Sequence, residues 1–145
     1  MKILSNPADD PYLDNNLCVD RLVENWKQHG KIIIAFDFDN TIYDYYGKNY
    51  TYSKVIDLLK ECKNMGCILI LCTCCDESKF EFMRNECEKV GISIDYINES
   101  PPYIPFTGNK VYYNILLDDR AGLRSAYEIL YKAKERIKNE ALWIS

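Results

Sequence analysis

The chain has 145 residues, the size of one ordinary domain, and a domain of that length buries roughly 70% of its unfolded surface without needing disulfides or metal. Its residues are 48% hydrophobic and 28% charged, which excludes both a disordered tract and a membrane-embedded bundle. Eighteen basic side chains against 22 acidic ones leave a net charge of −4, so general adhesion to nucleic acid or a membrane surface is not expected.

Residues 1–16, with Pro7, Pro11, Asp9, Asp10 and Asp14, read as an irregular N-terminal segment, and residues 17–145 as a single domain. A helix is predicted over 17–29, with Val19, Leu22, Val23 and Trp26 on one face. Three times a polar helical stretch ends in glycine and gives way to a short apolar burst. Gly30, Gly66 and Gly91 therefore read as helix C-caps, with strands near 31–37, 67–73 and 92–97. The bursts are apolar at successive positions, the mark of strands buried on both faces of a parallel sheet. Ile115-Leu116-Leu117, ending in Asp118, supplies a fourth.

Helices between and after these strands carry core stripes at helical spacing: Val55, Leu58, Leu59 and Cys62; Phe80, Met83, Cys87 and Val90; Leu123, Ala126, Leu130, Ala133 and Ile137. Ser53 and Asp76 are the expected N-caps. Residues 98–109 hold three of the five prolines and read as a constrained loop. The order is βαβαβ followed by a last βα unit, wound right-handedly. No apolar run approaches the length of a membrane span. Seven cysteines, an odd number, and the absence of a secretory signal fit a reducing, cytoplasmic setting.

Ligands of open parallel sheets gather at the carboxyl ends of the strands, and here those ends are polar. The first strand closes on Asp37-Phe38-Asp39-Asn40-Thr41, the second on Thr73 and the fourth on Asp118-Asp119. Clustered carboxylates repel unless some are protonated or a cation neutralises them, and a hard, oxygen-seeking ion such as magnesium suits such a set. Asp37 and Asp39 project to the same side, so one can attack phosphorus while the other moves protons. A lone Asp-x-Asp also serves as an ordinary turn after a strand.

In that setting the three strand ends together resemble the haloacid dehalogenase superfamily of phosphotransferases, over roughly residues 31–130. The resemblance implies a Rossmann-like three-layer α/β sandwich, with a mainly parallel sheet of order 3-2-1-4, helices on both faces and a small hairpin flap after strand 1. It implies Asp37 as nucleophile, Asp39 as general acid/base that also offers a backbone carbonyl to the metal, Thr73 as a donor to the phosphoryl group, and Asp118 with Asp119 as magnesium ligands. Thr41 matches a residue that braces the first loop. Asn40, Thr41, Tyr43 and Tyr46 are the candidate substrate contacts around that loop.

The family's lysine is matched here by Lys110, with Lys79 in reserve. A fully extended path from Lys110 to Asp118 spans about 26 Å, so Lys110 can serve only if residues 110–113 coil into a helical turn. The spacing of the motifs leaves no room for a cap domain, and small capless members resembling this chain include nucleotidase-type phosphatases. Their relatives act on macromolecular phosphates or borrow a neighbouring subunit as a lid. The expected substrate is a phosphorylated small molecule, a nucleotide or a nucleic-acid end. A homo-oligomer would use the Pro-rich loop and the Trp26 helix as its interface.

Tyr43, Tyr45, Tyr46, Tyr50 and Tyr52 could stack on a nucleobase or pack the flap. Cys72-Thr73-Cys74-Cys75 contains a CxxC pair, but zinc needs two more ligands and His29 stands alone. Two rivals to a phosphatase are a silent phosphate- or partner-binding module of the same fold and a two-component receiver domain. The receiver is disfavoured because its acidic pair would close the first strand.

Overall fold

The computed structural model describes residues 9–144. The expected segment 1–16 falls partly outside them. Within the described part, a 3₁₀ turn at Pro11–Leu13 leads to α1 (Asn15–His29), which begins two residues before the expected start because Asp14 caps it. The Asp14 carboxylate accepts from the Asn16 and Leu17 amides at 2.8 and 3.3 Å. Gly30, left-handed at φ 75°, ends the helix and turns the chain into β1 (Ile33–Asp37).

Then follow α2 (Ser53–Asn64), β2 (Ile68–Cys72), α3 (Phe80–Lys89), β3 (Tyr96–Ile97), β4 (Ile115–Leu117) and α4 (Leu123–Ile144). The four strands form one parallel sheet in the order β3-β2-β1-β4, as expected. Among the described residues, no helix is long and apolar enough to cross a membrane.

The helix layer departs from expectation. Ile34, Phe36, Leu69, Leu71 and Leu117 share one buried cluster with residues of all four helices, including Leu22, Leu59, Cys87 and Leu130. The alternate strand residues Ile33, Ala35 and Ile70 face the other way and pack on Ile104, Val111, Tyr112 and Tyr113, all from the 98–114 segment. Among the described residues no helix residue joins that second cluster, so the expected helices on both faces give way to helices on one face and an irregular strap on the other. Connection handedness explains it. The steps β1→β2→β3 run in one direction and place α2 and α3 on one face, while the return from β3 to β4 must pass over the other face. Three prolines keep that return from forming a helix.

Smaller corrections have local causes. Ser53 is the first helical residue rather than the cap, because Tyr52 takes a left-handed conformation at φ 53° just before it. Asp76 does cap, accepting from the Ser78 amide at 3.0 Å ahead of the 3₁₀ turn Glu77–Lys79. Val90 lies 37% exposed, at the end of the α3 stripe rather than in the core. Trp26 is buried in the core, on the inner face of α1. No hairpin follows β1; the chain there makes turns, with one isolated bridge between Asp39 and Tyr43.

Only two residues of the expected 92–97 strand pair as β3. Asp95 replaces its earlier part: its carboxylate accepts the Leu69 amide at 2.8 Å, where a continuing strand would offer a carbonyl, and holds Lys63 at 2.6 Å. We predict that Asp95→Ala costs about 1–3 kcal/mol in urea unfolding, since it strands a ladder N–H. Lys63→Met, which removes only the half-exposed ion pair, should cost less than about 1 kcal/mol.

Candidate active site

Parallel register decides which side chains meet. Phe36 pairs with Leu117, so Asp37 and Asp118 leave the sheet side by side at the same edge. Asp37 pairs with Cys72, which places Thr73 one step further on. Carboxylate oxygens of Asp37, Asp118 and Asp119 all lie within 4.8 Å of one another. They share an open cleft of about 410 Å3 with Asp39, Asn40, Tyr46 and Thr73. Asp39 stands in the wall of that cleft, outside the trio.

Each loop at this edge is pinned. Thr41 is fully buried; its hydroxyl accepts the Asp119 amide at 3.1 Å and donates to Asp119 Oδ1 at 3.4 Å, tying the β1 loop to the β4 loop. Asp118 Oδ1 accepts the Arg120 amide at 2.9 Å. Asn98, left-handed at φ 55°, closes β3 and grips Thr73 from both sides. Its Oδ1 accepts the Thr73 amide and its Nδ2 donates to the Thr73 carbonyl, each at 2.8 Å. Thr73 Oγ1 accepts the Cys75 amide at 3.0 Å, which leaves its own hydroxyl proton free to donate into the cleft.

Burial, reinforced by a hydrogen bond to Asp119 and the charge of Asp118, pushes the Asp37 carboxyl up to about 7. Burial and Asp119 also raise Asp39. These shifts are the cost of crowding acids without a counter-charge. The donor set fits a hard cation. Oxygens at adjacent positions on one magnesium lie about 3.0 Å apart, a spacing that side-chain rotation can reach from separations of no more than 4.8 Å. Cys72, the nearby soft donor, is pushed up to about 11 by burial and by Asp37 and Asp118, which keeps its thiol protonated at neutral pH.

The expected substrate contacts divide. Asn40 and Tyr46 line the cleft, and so does Tyr45, whose ring meets that of Tyr46 edge-on at 5.0 Å. Thr41 is too deeply buried to touch a substrate and acts as the brace instead. Tyr43 turns away, stacking on Phe38 at 4.8 Å and meeting Phe82 edge-on at 5.7 Å.

Lys110 does not reach the acids. Residues 110–113 form no helical turn, and the following Asn114 exchanges hydrogen bonds with Ile33 at the far, amino end of β1. The Lys110 ammonium lies 6.0 Å from the Tyr113 ring centroid, beside a separate crevice. Lys79 is exposed on the 3₁₀ turn and does not line the cleft either. The cation that does line it, among the described residues, is Arg120. Sequence reasoning passed over Arg120 and Asn98. Both follow from one rule applied fully: Asn98 closes the third strand, and Arg120 follows the acidic pair.

All seven cysteines are free; Cys74 and Cys75 border the cleft. No family model matches the chain, and no curated protein matches it. Among solved structures, a conserved protein of Bacteroides thetaiotaomicron is similar in fold, with a TM-score of 0.57 at 22% identity over 70% of this chain and 91% of that one. That likeness shows the α/β fold alone.

The Asp37 carboxyl sits at about 7 in the fold against an ordinary 3.8, so between those values the folded chain binds more protons than the unfolded one. Its contribution to stability is therefore lost as pH rises from about 4 to about 7. In EDTA, the melting temperature of the native chain should fall across that window relative to Asp37→Asn, and magnesium should restore the loss at pH 8. Parallel melting profiles for the two chains would show that the fold does not raise the Asp37 carboxyl.

Proposed function

We propose that the chain is a magnesium-dependent phosphomonoester hydrolase of the haloacid dehalogenase type, working through an aspartyl-phosphate intermediate on nucleotides or nucleic-acid ends. The observation that carries this reading is the meeting of three carboxylates, from the ends of two neighbouring parallel strands, in one cleft with Thr73. A pure receptor for phosphate gains nothing from such crowded negative charge.

In the proposed reaction a carboxylate oxygen of Asp37 attacks phosphorus and the bond from phosphorus to the leaving alcohol breaks. Asp39, whose raised carboxyl favours holding a proton, gives that proton to the alcohol oxygen. Water then attacks the phosphorus, Asp39 takes its proton, and the bond to Asp37 breaks to release inorganic phosphate. A magnesium ion held by Asp37, Asp118 and Asp119 would neutralise the phosphoryl oxygens. Thr73, fixed by Asn98, aims its hydroxyl at those oxygens, and Arg120 adds charge from the rim. Tyr45 and Tyr46 remain 59% and 66% exposed beside the cleft, with ring faces suited to a nucleobase at about 1–3 kcal/mol of stacking.

Asp37→Asn should reduce hydrolysis of p-nitrophenyl phosphate by on the order of a thousandfold or more with the fold intact by circular dichroism. EDTA should abolish the native activity and magnesium restore it. Turnover that survives either treatment would refute the mechanism. Asn98→Ala should lower kcat by about tenfold with little change in KM, because it loosens a transition-state donor without touching substrate. The silent-module alternative draws on one observation, that no lysine among the described residues lines the cleft. Saturable magnesium-dependent phosphate binding without turnover would select it.

A further inference from the structure

The strap that covers the back of the sheet leaves a second cavity, about 340 Å3, at the amino edge. Ile33, the first residue of β1, forms part of its floor, so it lies at the opposite end of the strand that carries Asp37, about 13 Å away. A helix would have filled this space; the irregular segment does not.

Rings make its walls. Phe106 stacks on Tyr112 with centroids 5.6 Å apart and planes inclined by 28°, and Tyr103 stands nearby. Tyr103 and Phe106 keep 58% and 66% of their surface exposed, so large apolar faces meet water at the mouth. The polar side chains are few and each can donate a hydrogen bond: the Lys31 ammonium, the His29 imidazole, the Asn114 amide and the hydroxyls of Tyr103 and Tyr112. Lys31 Nζ lies 5.6 Å from the Tyr103 ring centroid. Asn114 Oδ1 accepts from the Ile33 N–H at 2.7 Å, and its NH2 donates to none of the described residues. Among the described residues no carboxylate lines this cavity or the adjoining crevice beside Lys110, in a chain of net charge −4.

The walls are set before anything binds. Three prolines stiffen the strap, the Tyr112 amide donates to Ser100 Oγ at 2.9 Å, and the Ile104 amide donates to the Pro101 carbonyl at 3.1 Å. Asn114 fastens the far end to β1. Little ordering remains to oppose association, which is what a ligand site of this size requires.

We propose that this amino-edge cavity binds a small planar aromatic anion, with the ring against Tyr103, Phe106 and Tyr112 and the acid group on Lys31 and His29. An aromatic carboxylate and a nucleoside monophosphate share that chemistry. The site is separate from the acid cleft and does not depend on the reaction assigned to it.

Amide NMR of the full chain in EDTA, titrated with salicylate, AMP, benzyl alcohol and inorganic phosphate, tests it. Salicylate or AMP should give saturable shifts centred on Lys31, Ile33, Tyr103, Phe106, Tyr112 and Asn114, and the tighter of the two identifies the acid. Benzyl alcohol, lacking charge, and phosphate, lacking a ring, should bind at least about tenfold more weakly. Lys31→Glu and Phe106→Ala change side chains at the cavity mouth, and each should weaken the preferred probe at least about tenfold with the melting temperature kept. Asp37→Asn should leave binding unchanged. Failure of both aromatic acids to saturate, shifts centred on the acid cleft, or equal binding of benzyl alcohol would overturn the proposal.

Discussion

The structure depends on an electrostatic conflict held in place by backbone register. A parallel ladder from Ile34↔Ile115 to Phe36↔Leu117 leaves Asp37 and Asp118 no choice but to emerge together. Thr41 then clamps Asp119 beside them. The strand interiors are apolar and buried, so the frame that imposes this crowding is stable for reasons unrelated to the acids. The cost appears as protons held too tightly by Asp37 and Asp39, and it is the sort of cost that one bound cation removes.

Topology separates the molecule's two edges and gives them different chemistry. Helices on a single face provide most of the apolar burial, and α4 is joined to α2 through Lys134 and Lys138, which both reach Glu61. Lys134 is itself buried, with its ammonium 4.1 Å from the Tyr131 ring centroid. The other face is left to the Pro-rich strap. Acids collect where the strands end, beside Tyr45, Tyr46 and Arg120, while Lys31 and the rings of Tyr103, Phe106 and Tyr112 collect where they begin. Lys110, expected among the acids, belongs to the second group.

Most of the frame was legible from residue order. The runs of Ile, Leu and Ala fix β1 and β2 almost to the residue, and the polar closures at Asp37, Thr73 and Asp118 locate the cleft, because strand direction and side-chain alternation act over a few residues. What was not legible depends on long-range placement. Periodicity reports that α1 through α4 each bury one stripe, but not that all four stripes meet the same face of the sheet. Residue type misassigned Thr41, whose hydroxyl is turned to a backbone amide, and Tyr43, whose ring is taken up by Phe38. Without a helical turn over residues 110–113 Lys110 falls at the wrong end of the sheet, and none forms.

Two short strands raise the question of what keeps this edge rigid, since β3 pairs through two residues and β4 through three. Side chains take over where the ladder stops. Asp95 receives the Leu69 amide before β3, Asn114 receives the Ile33 amide before β4, and Asn98 grips both backbone groups of Thr73 after β3. Each mimics a carbonyl or an amide that a longer strand would have presented, so few buried ladder groups go unpaired. The price of the last substitution is a left-handed asparagine, and it falls where the Thr73 hydroxyl faces the acid cleft. A continuing strand would have carried Thr73 onward with the pleat; the clamp stops it at the cleft. Cys72, still within the ladder, is half-buried there and keeps its thiol proton, so the groups best placed at this end to meet a hard cation are the carboxylate oxygens of Asp37, Asp118 and Asp119.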